Sequence, residues 1–251
     1  EYCNGTTATG LVKLRRRYGF AAPHNVRYWG IGNEVDGPWQ IGFKSPLEYA
    51  RACTEYAKAM KWVDSSIKII ASGVSLWEGD FLERIRLLLE HAGNHVDYLA
   101  LHWYVGNPQN DYYAYMNVPE LLERRLAAIE GLVAAGSLQY KLARPPKLAV
   151  DEWNVWYRTH PGYGADTTVS RLEERYNLED ALVVAMQMNL FIRHARTVTM
   201  ANLAQAVNVI APVFTSPDGL FLQTIFYPFE LYSRTCGTWS VDAWYEGETV
   251  S

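Results

Sequence analysis

Apolar residues recur along the chain in two rhythms: short β-branched runs, and longer stretches spaced by three and four residues. The short runs predict strands at Val26–Gly30, Ser66–Ser72, Val96–His102, Lys147–Val150 and Arg196–Met200. Helices are predicted between them over Thr9–Tyr18, Pro46–Val63, Gly79–His91, Pro119–Ala135 and Tyr176–His194. Tyr49, Ala52, Tyr56, Ala59 and Val63 fall on one side of the second helix, and the third should bury Phe81, Ile85 and Leu88. The fourth aligns Leu122, Leu126, Ile129 and Val133; the fifth carries Leu178, Leu182, Ala185, Met188 and Ile192. Ser45 followed by Pro46 is a good helix opening, a cap oxygen and then a proline that gives up no needed donor. A polar, tyrosine-rich loop is expected over Gly106–Asn117, and a long glycine-containing one over Arg158–Val169. Long loops in compact domains are often functional. The last section should hold a short helix at Phe226–Tyr232 and a strand beginning at Thr238–Tyr245.

Strands that alternate with helices imply a parallel sheet covered by helices. An open doubly wound sheet and a (β/α)8 barrel both fit. No glycine-rich nucleotide turn follows a strand, polar residues end most strands, and they differ in type from strand to strand. Barrel active sites are assembled in this way. Five units cannot close eight strands, so the expected α/β fold is the C-terminal portion of a (β/α)8 TIM barrel. The internal-looking Glu1 and the ragged end at Ser251 suggest a fragment.

Composition narrows the function classes. Apolar content of 49% and charged content of 20% over 251 residues are those of a globular protein. Aromatics are abundant, with 17 Tyr, 9 Trp and 8 Phe, and their flat faces with polar edges suit sugars as well as cores. A net charge of −4, with Lys13–Arg17 (KLRRR) as the one basic run, does not suit a nucleic-acid binder; that run reads as a solvated helix face. No apolar stretch is long enough to span a membrane, and the start shows no signal peptide. Cys3, Cys53 and Cys236 are odd in number and far apart, arguing against a disulfide scaffold or thiolate metal site and fitting a cytoplasmic protein.

Two stretches share one grammar. Val26–Gln40 (VRYWGIGNEVDGPWQ) and Lys147–Tyr157 (KLAVDEWNVWY) each run from a hydrophobic strand to a glutamate and then to tryptophan. Alternation puts Leu148, Val150 and Glu152 on one face and Asp151 on the other. Glu34 and Glu152 are therefore candidate paired carboxyls for glycoside hydrolysis. A retaining enzyme would hold them roughly 5 Å apart, and their closeness would raise the pKa of one. His102 and Tyr104, at the end of the third strand, could donate to the nucleophilic carboxylate and keep it ionised. Asp97 and Tyr98 read as structural. Trp39 and Trp156 could stack on sugars or pack the barrel mouth. The histidines at 24, 91, 95, 102, 160 and 194 form no HExxH pattern, and no GxSxG elbow exists. No metal or cofactor is expected.

The segments YWGIGNEVDGPWQIG (Tyr28–Gly42), LHWY (Leu101–Tyr104), DEWNVWY (Asp151–Tyr157) and NLAQAVNVIAP (Asn202–Pro212) resemble the α-L-arabinofuranosidases of glycoside hydrolase family 51. The resemblance implies Glu34 as acid/base and Glu152 as nucleophile. It places Asn33 on the sugar 2-hydroxyl, His102 and Tyr104 near the nucleophile, Trp156 in the wall and Gln205 as a sugar-binding glutamine. It implies release of terminal α-L-arabinofuranosyl groups from arabinan, arabinoxylan and their oligosaccharides with retention, and a hexameric, intracellular parent enzyme. Family members are about twice as long, so residues 1–236 should be a partial barrel and 237–251 the first segment of a C-terminal β-sandwich. Alternatives are another retaining glycosidase such as an endo-β-glucanase, or a catalytically silent carbohydrate-binding protein.

Overall fold

The computed structural model describes residues 1–160 and 173–243. The elements in order are α1 (Gly10–Arg17), β1 (Tyr28–Ile31), α2 (Pro46–Val63), β2 (Lys68–Val74), α3 (Phe81–Ala92), β3 (Tyr98–Val105) and α4 (Tyr112–Met116). They continue with α5 (Val118–Gln139), β4 (Lys147–Val155), α6 (Leu178–Arg193), β5 (Val198–Leu203), β6 (Val213–Ser216), β7 (Gly219–Leu222) and α7 (Phe226–Thr235). Among these residues no helix is long and apolar enough to cross a membrane.

The first five strands form a sheet in the order β1-β2-β3-β4-β5, and the β1–β2 and β2–β3 pairs are parallel. This strict sequential order has no reversal, whereas a doubly wound sheet turns back at a switch point. It is the winding of a (β/α)8 barrel, of which the chain carries part. β6 and β7 form a separate antiparallel hairpin, Val213–Leu222, in a stretch for which the sequence pattern predicted no element.

The chain divides into two compact units, Glu1–His102 with Leu126–Val150, and Trp103–Arg125 with Asp151–Ser251. In the first unit Ile69, Ala71, Leu99 and Leu101 of the sheet are buried with Ala50, Cys53 and Ala57 of α2, Ile85 and Leu88 of α3, and Leu126 and Ile129 of α5. β2 is buried from Ile69 to Val74, as a strand covered on both faces must be. Its register with β3 shifts between Ser72 and Val74. Gly73 permits this, since a Cβ there would lie 2.4 Å from the Ala100 carbonyl oxygen. α2 opens on the expected Ser45–Pro46 signal, reinforced by Glu48 in a capping box. In the second unit Trp153, Val155, Tyr115, Val183, Val184 and Leu190 are buried. Asn177 and Asp180 form the capping box that starts α6.

Several expectations change. The basic run is not all solvated: Arg15 is fully buried, and its guanidinium donates to the carbonyls of Tyr2, Gly5 and Phe20, tying the first residues to α1. On α2 the buried residues are Tyr49, Ala50, Cys53 and Ala57, while Tyr56 and Val63 are exposed. On α6 they are Asp180, Ala181, Val183, Val184, Gln187, Leu190 and Phe191, with Leu178, Leu182 and Ile192 exposed. β4 runs on to Val155, so Glu152 lies inside the strand rather than past its end. The tyrosine-rich loop contains α4, capped by Asp111, whose side chain accepts from the Ala114 amide. Residues 238–243 of the expected final strand have no regular structure, and its last two positions lie outside the described residues. Of the loop expected over Arg158–Val169, only residues 158–160 are described.

Candidate active site

Glu34 stands three residues beyond β1, in a turn closed by the Gly37 amide on the Glu34 carbonyl at 2.8 Å. Its backbone is left-handed, with φ +45°, and Gly32 just before it has φ +83°. A non-glycine residue held there costs on the order of 1–3 kcal/mol, so the surroundings must over-determine it. They do. Tyr49 of α2 donates to the Ile31 carbonyl at 2.5 Å and accepts from the Ser72 amide at 2.7 Å, locking the end of β1 against β2. The Val35 amide donates to Ser72 Oγ, and the Lys44 amide to the Val35 carbonyl, closing the base of the loop from 35 to 44. Buried Arg84 of α3 donates to the Lys44 carbonyl at 2.8 Å.

Within this frame the Glu34 carboxylate accepts three side-chain bonds. Trp39 Nε1 and Gln40 Nε2 donate to Oε2 at 2.6 and 3.2 Å, and His102 Nδ1 lies 2.9 Å from Oε1. The His102 bond holds the Glu34 pKa down most strongly; burial opposes it, and with Trp39 and Gln40 adding to the effect it falls to about 2. The expectation that pairing raises a carboxyl pKa is not met at Glu34. His102 has its imidazole on Glu34. The Trp39 ring is half exposed and anchored by its indole N–H. Asn33, next to Glu34, is exposed.

The second unit holds the other glutamate. Tyr104 of β3 donates its hydroxyl to Glu152 Oε1 at 2.5 Å, as expected. Its ring meets Trp156 edge-on, with centroids 5.6 Å apart. Trp156 is fixed in turn: its amide donates to the Val105 carbonyl at 2.8 Å and its indole to Thr159 Oγ1 at 3.2 Å. Thr159 Oγ1 in turn donates a hydrogen bond to Glu174 Oε2 at 2.8 Å. Fully buried Glu174 also accepts from the Arg158 and Thr159 amides, both at 3.0 Å. Gln205 is exposed just past β5, with φ +66°. Its stretch is stapled by buried Asn154, whose side-chain amide donates to the Ala204 and Ile210 carbonyls at 3.0 and 2.6 Å.

The structure thus brings Glu34, Trp39 and His102 together in one unit and Tyr104, Glu152 and Trp156 together in the other. Gln40, Tyr49, Asn154, Thr159 and Glu174 were not singled out from sequence. Gln40 could have been: a Gly-Pro turn three residues after Glu34 folds the chain back over it. Glu174 gave no such signal, because its partners lie fifteen and sixteen positions upstream.

A parallel strand–helix winding that carries carboxylates gripped by aromatic, imidazole and amide donors is the arrangement of a barrel-type α/β protein with a polar site near its strand ends. Residues 1–120 match the family model described as the α-L-arabinofuranosidase 1 domain, and residues 151–251 the α-L-arabinofuranosidase C-terminal domain. The chain belongs to the family 51 α-L-arabinofuranosidases. It is 39% identical over 238 residues to the intracellular exo-α-(1→5)-L-arabinofuranosidase 1 of Bacillus subtilis, covering 91% of this chain and 47% of that protein. It is 36% identical to α-L-arabinofuranosidase C of Emericella nidulans, with coverages of 99% and 51%. Among solved structures it is similar to the Thermotoga maritima α-L-arabinofuranosidase in its arabinose complex (TM-score 0.81, 38% identity, 94% of this chain and 46% of that one). A family 51 enzyme from Bifidobacterium longum gives a TM-score of 0.84 at 29% identity, covering 93% of this chain and 49% of its own. The chain spans about half the length of these relatives.

Proposed function

We propose that this chain supplies the catalytic carboxyls of a retaining α-L-arabinofuranosidase that removes terminal non-reducing arabinofuranosyl groups from arabinan, arabinoxylan and their oligosaccharides. The observation that carries the reading is Glu34 itself, a carboxylate in a left-handed turn after a parallel strand with three side-chain donors on it. Glu152 acts as nucleophile, steadied by Tyr104, and displaces the leaving group from the anomeric carbon. Glu34 protonates the departing oxygen, then takes a proton from the water that releases the sugar. The donors that hold Glu34 ionised suit it to the second step. For the first it must take up a proton, and a glycosidic oxygen that displaces one of its donors raises its pKa toward that of an acid. Asn33 and Gln205 bind sugar hydroxyls, and Trp39 and Trp156 wall the bound ring. The Bacillus relative, an intracellular exo-α-(1→5)-L-arabinofuranosidase by name, favours exo action on α-1,5 linkages and an intracellular setting. Residues 1–236 serve as barrel and 237–251 begin a β-sandwich; assembly is homo-oligomeric.

Hydrolysis of 4-nitrophenyl α-L-arabinofuranoside tests the reading. Glu152→Ala should lower turnover by at least about a thousandfold while arabinose still binds. A protein that binds arabinan yet never cleaves it, before or after substitution, would instead be a carbohydrate-binding module.

A further inference from the structure

We propose that Asp36 and Trp77 are positioning residues that keep His102 on Glu34, an inference that rests on Glu34 being the acid/base. The side chains form a closed circuit through the turns after β1 and β2 and the C-terminal half of β3. Asp36, two residues after Glu34, is almost wholly buried and spends its carboxylate on the loop that follows β2. Its Oδ2 accepts from the Ser75 and Leu76 amides at 2.7 and 2.9 Å, and its Oδ1 from Ser75 Oγ at 2.5 Å. The next residue, Trp77, donates its indole N–H to the His102 carbonyl at 2.6 Å. His102 Nδ1 returns to Glu34 Oε1 at 2.9 Å.

The circuit answers a local need. The β2–β3 ladder ends at the Val74–Leu101 pair, so His102 lies one residue beyond its last rung. On the side of β3 that faces β2 no further rung holds the strand, although β3 itself runs on to Val105, and here it carries an imidazole that must meet a carboxylate. Trp77 continues the tie with a side chain, and Phe81, with its ring 5.5 Å away, fixes the indole plane. Asp36 sets where that loop begins. Arg84, nearly fully buried on α3, lies close enough to feel the charge of Asp36 and offsets it within a largely dry setting. Aiming of this kind matters for proton transfer, because a misplacement of about 1 Å can cost on the order of 100-fold.

The test is Trp77→Phe, which keeps the ring and removes the N–H, assayed on a methyl or oligosaccharide arabinofuranoside and on a dinitrophenyl arabinofuranoside. The poor leaving group needs the proton and the activated one does not. We expect kcat on the poor leaving group to fall about tenfold, kcat on the activated one to stay within about twofold, and KM to hold. In a His102→Asn background the same substitution should add nothing, since it acts through that imidazole. Asp36→Asn should give the same leaving-group split, so either variant decides the matter if the other folds poorly. Equal losses on both substrates, no loss on either, or full additivity with His102→Asn would overturn the proposal while leaving the acid/base reading intact. A wild-type protein that cleaves neither substrate would remove that reading first.

Discussion

Gly37 shows how much one missing side chain decides. A Cβ there would come 2.4 Å from the Trp39 ring, so the bare backbone is what lets the indole lie across the turn and reach Glu34. Gly37→Ala should push Trp39 off the carboxylate and cost as much turnover as Trp39→Phe, about tenfold on a poor leaving group. A Gly37→Ala enzyme that matches wild type would contradict this. The same donors make Glu34 a stability element with a defined pH window. Its folded pKa lies below the ordinary 4.5, at about 2, so its contribution is complete above pH 4.5 and is lost as pH falls toward 2. Urea unfolding of wild type and Glu34→Gln should therefore differ more at pH 6 than at pH 2.5. At this scale the sequence made the bond from Tyr104 to Glu152 legible. It did not predict the bond from His102 to Glu34, because that contact depends on where β3 lies relative to the turn after β1.

Elements were read well where one apolar face stands alone and less well where two compete. Leu122, Leu126, Ile129 and Val133 of α5 are all buried as expected. α2 carries apolar residues on two sides, and Tyr56, Ala59 and Val63 instead border a cavity of about 340 Å³ beside Trp29 and Ile31 of β1. α6 is apolar nearly all round, so periodicity does not choose its face. The capping box and the bond from Tyr115 to Asp180, 2.9 Å long, help orient it. That orientation buries Gln187 completely, with neither amide atom hydrogen-bonded among the described residues. An unpaired buried amide costs roughly 1–3 kcal/mol, so Gln187→Met should stabilise the protein by about 1–2 kcal/mol in urea unfolding; destabilisation would show that the amide is satisfied. Asp97 is the opposite case. Its side chain is buried just before β3, and it accepts from the Ile69 amide at 3.0 Å and from Lys61, Lys68 and Arg144 at 3.1–3.2 Å. The cations are more exposed than the carboxylate, which discounts their share. Asp97→Asn should still cost about 1–3 kcal/mol and lower the urea midpoint with m unchanged.

At the scale of the molecule, alternating strands and helices made the parallel sheet legible, and the strict β1-to-β5 order then chose barrel winding over a doubly wound sheet. The β6–β7 hairpin was not legible, because its strands of four residues each are too short for periodicity to register. The two glutamates differ in environment, and that difference carries the last prediction. If Glu152 attacks and Glu34 transfers protons, the first sugar released is the α-anomer, and proton NMR should detect it before mutarotation. Azide then separates the roles. In Glu34→Ala the glycosyl-enzyme still forms from an activated substrate, and azide attacks it to give the α-configured arabinosyl azide. In Glu152→Ala no covalent intermediate forms, and azide, occupying the space left by the carboxylate, displaces the leaving group directly to give the β-azide. The same azide anomer from both variants, or β from Glu34→Ala, would mean that the roles are exchanged or that neither residue attacks carbon.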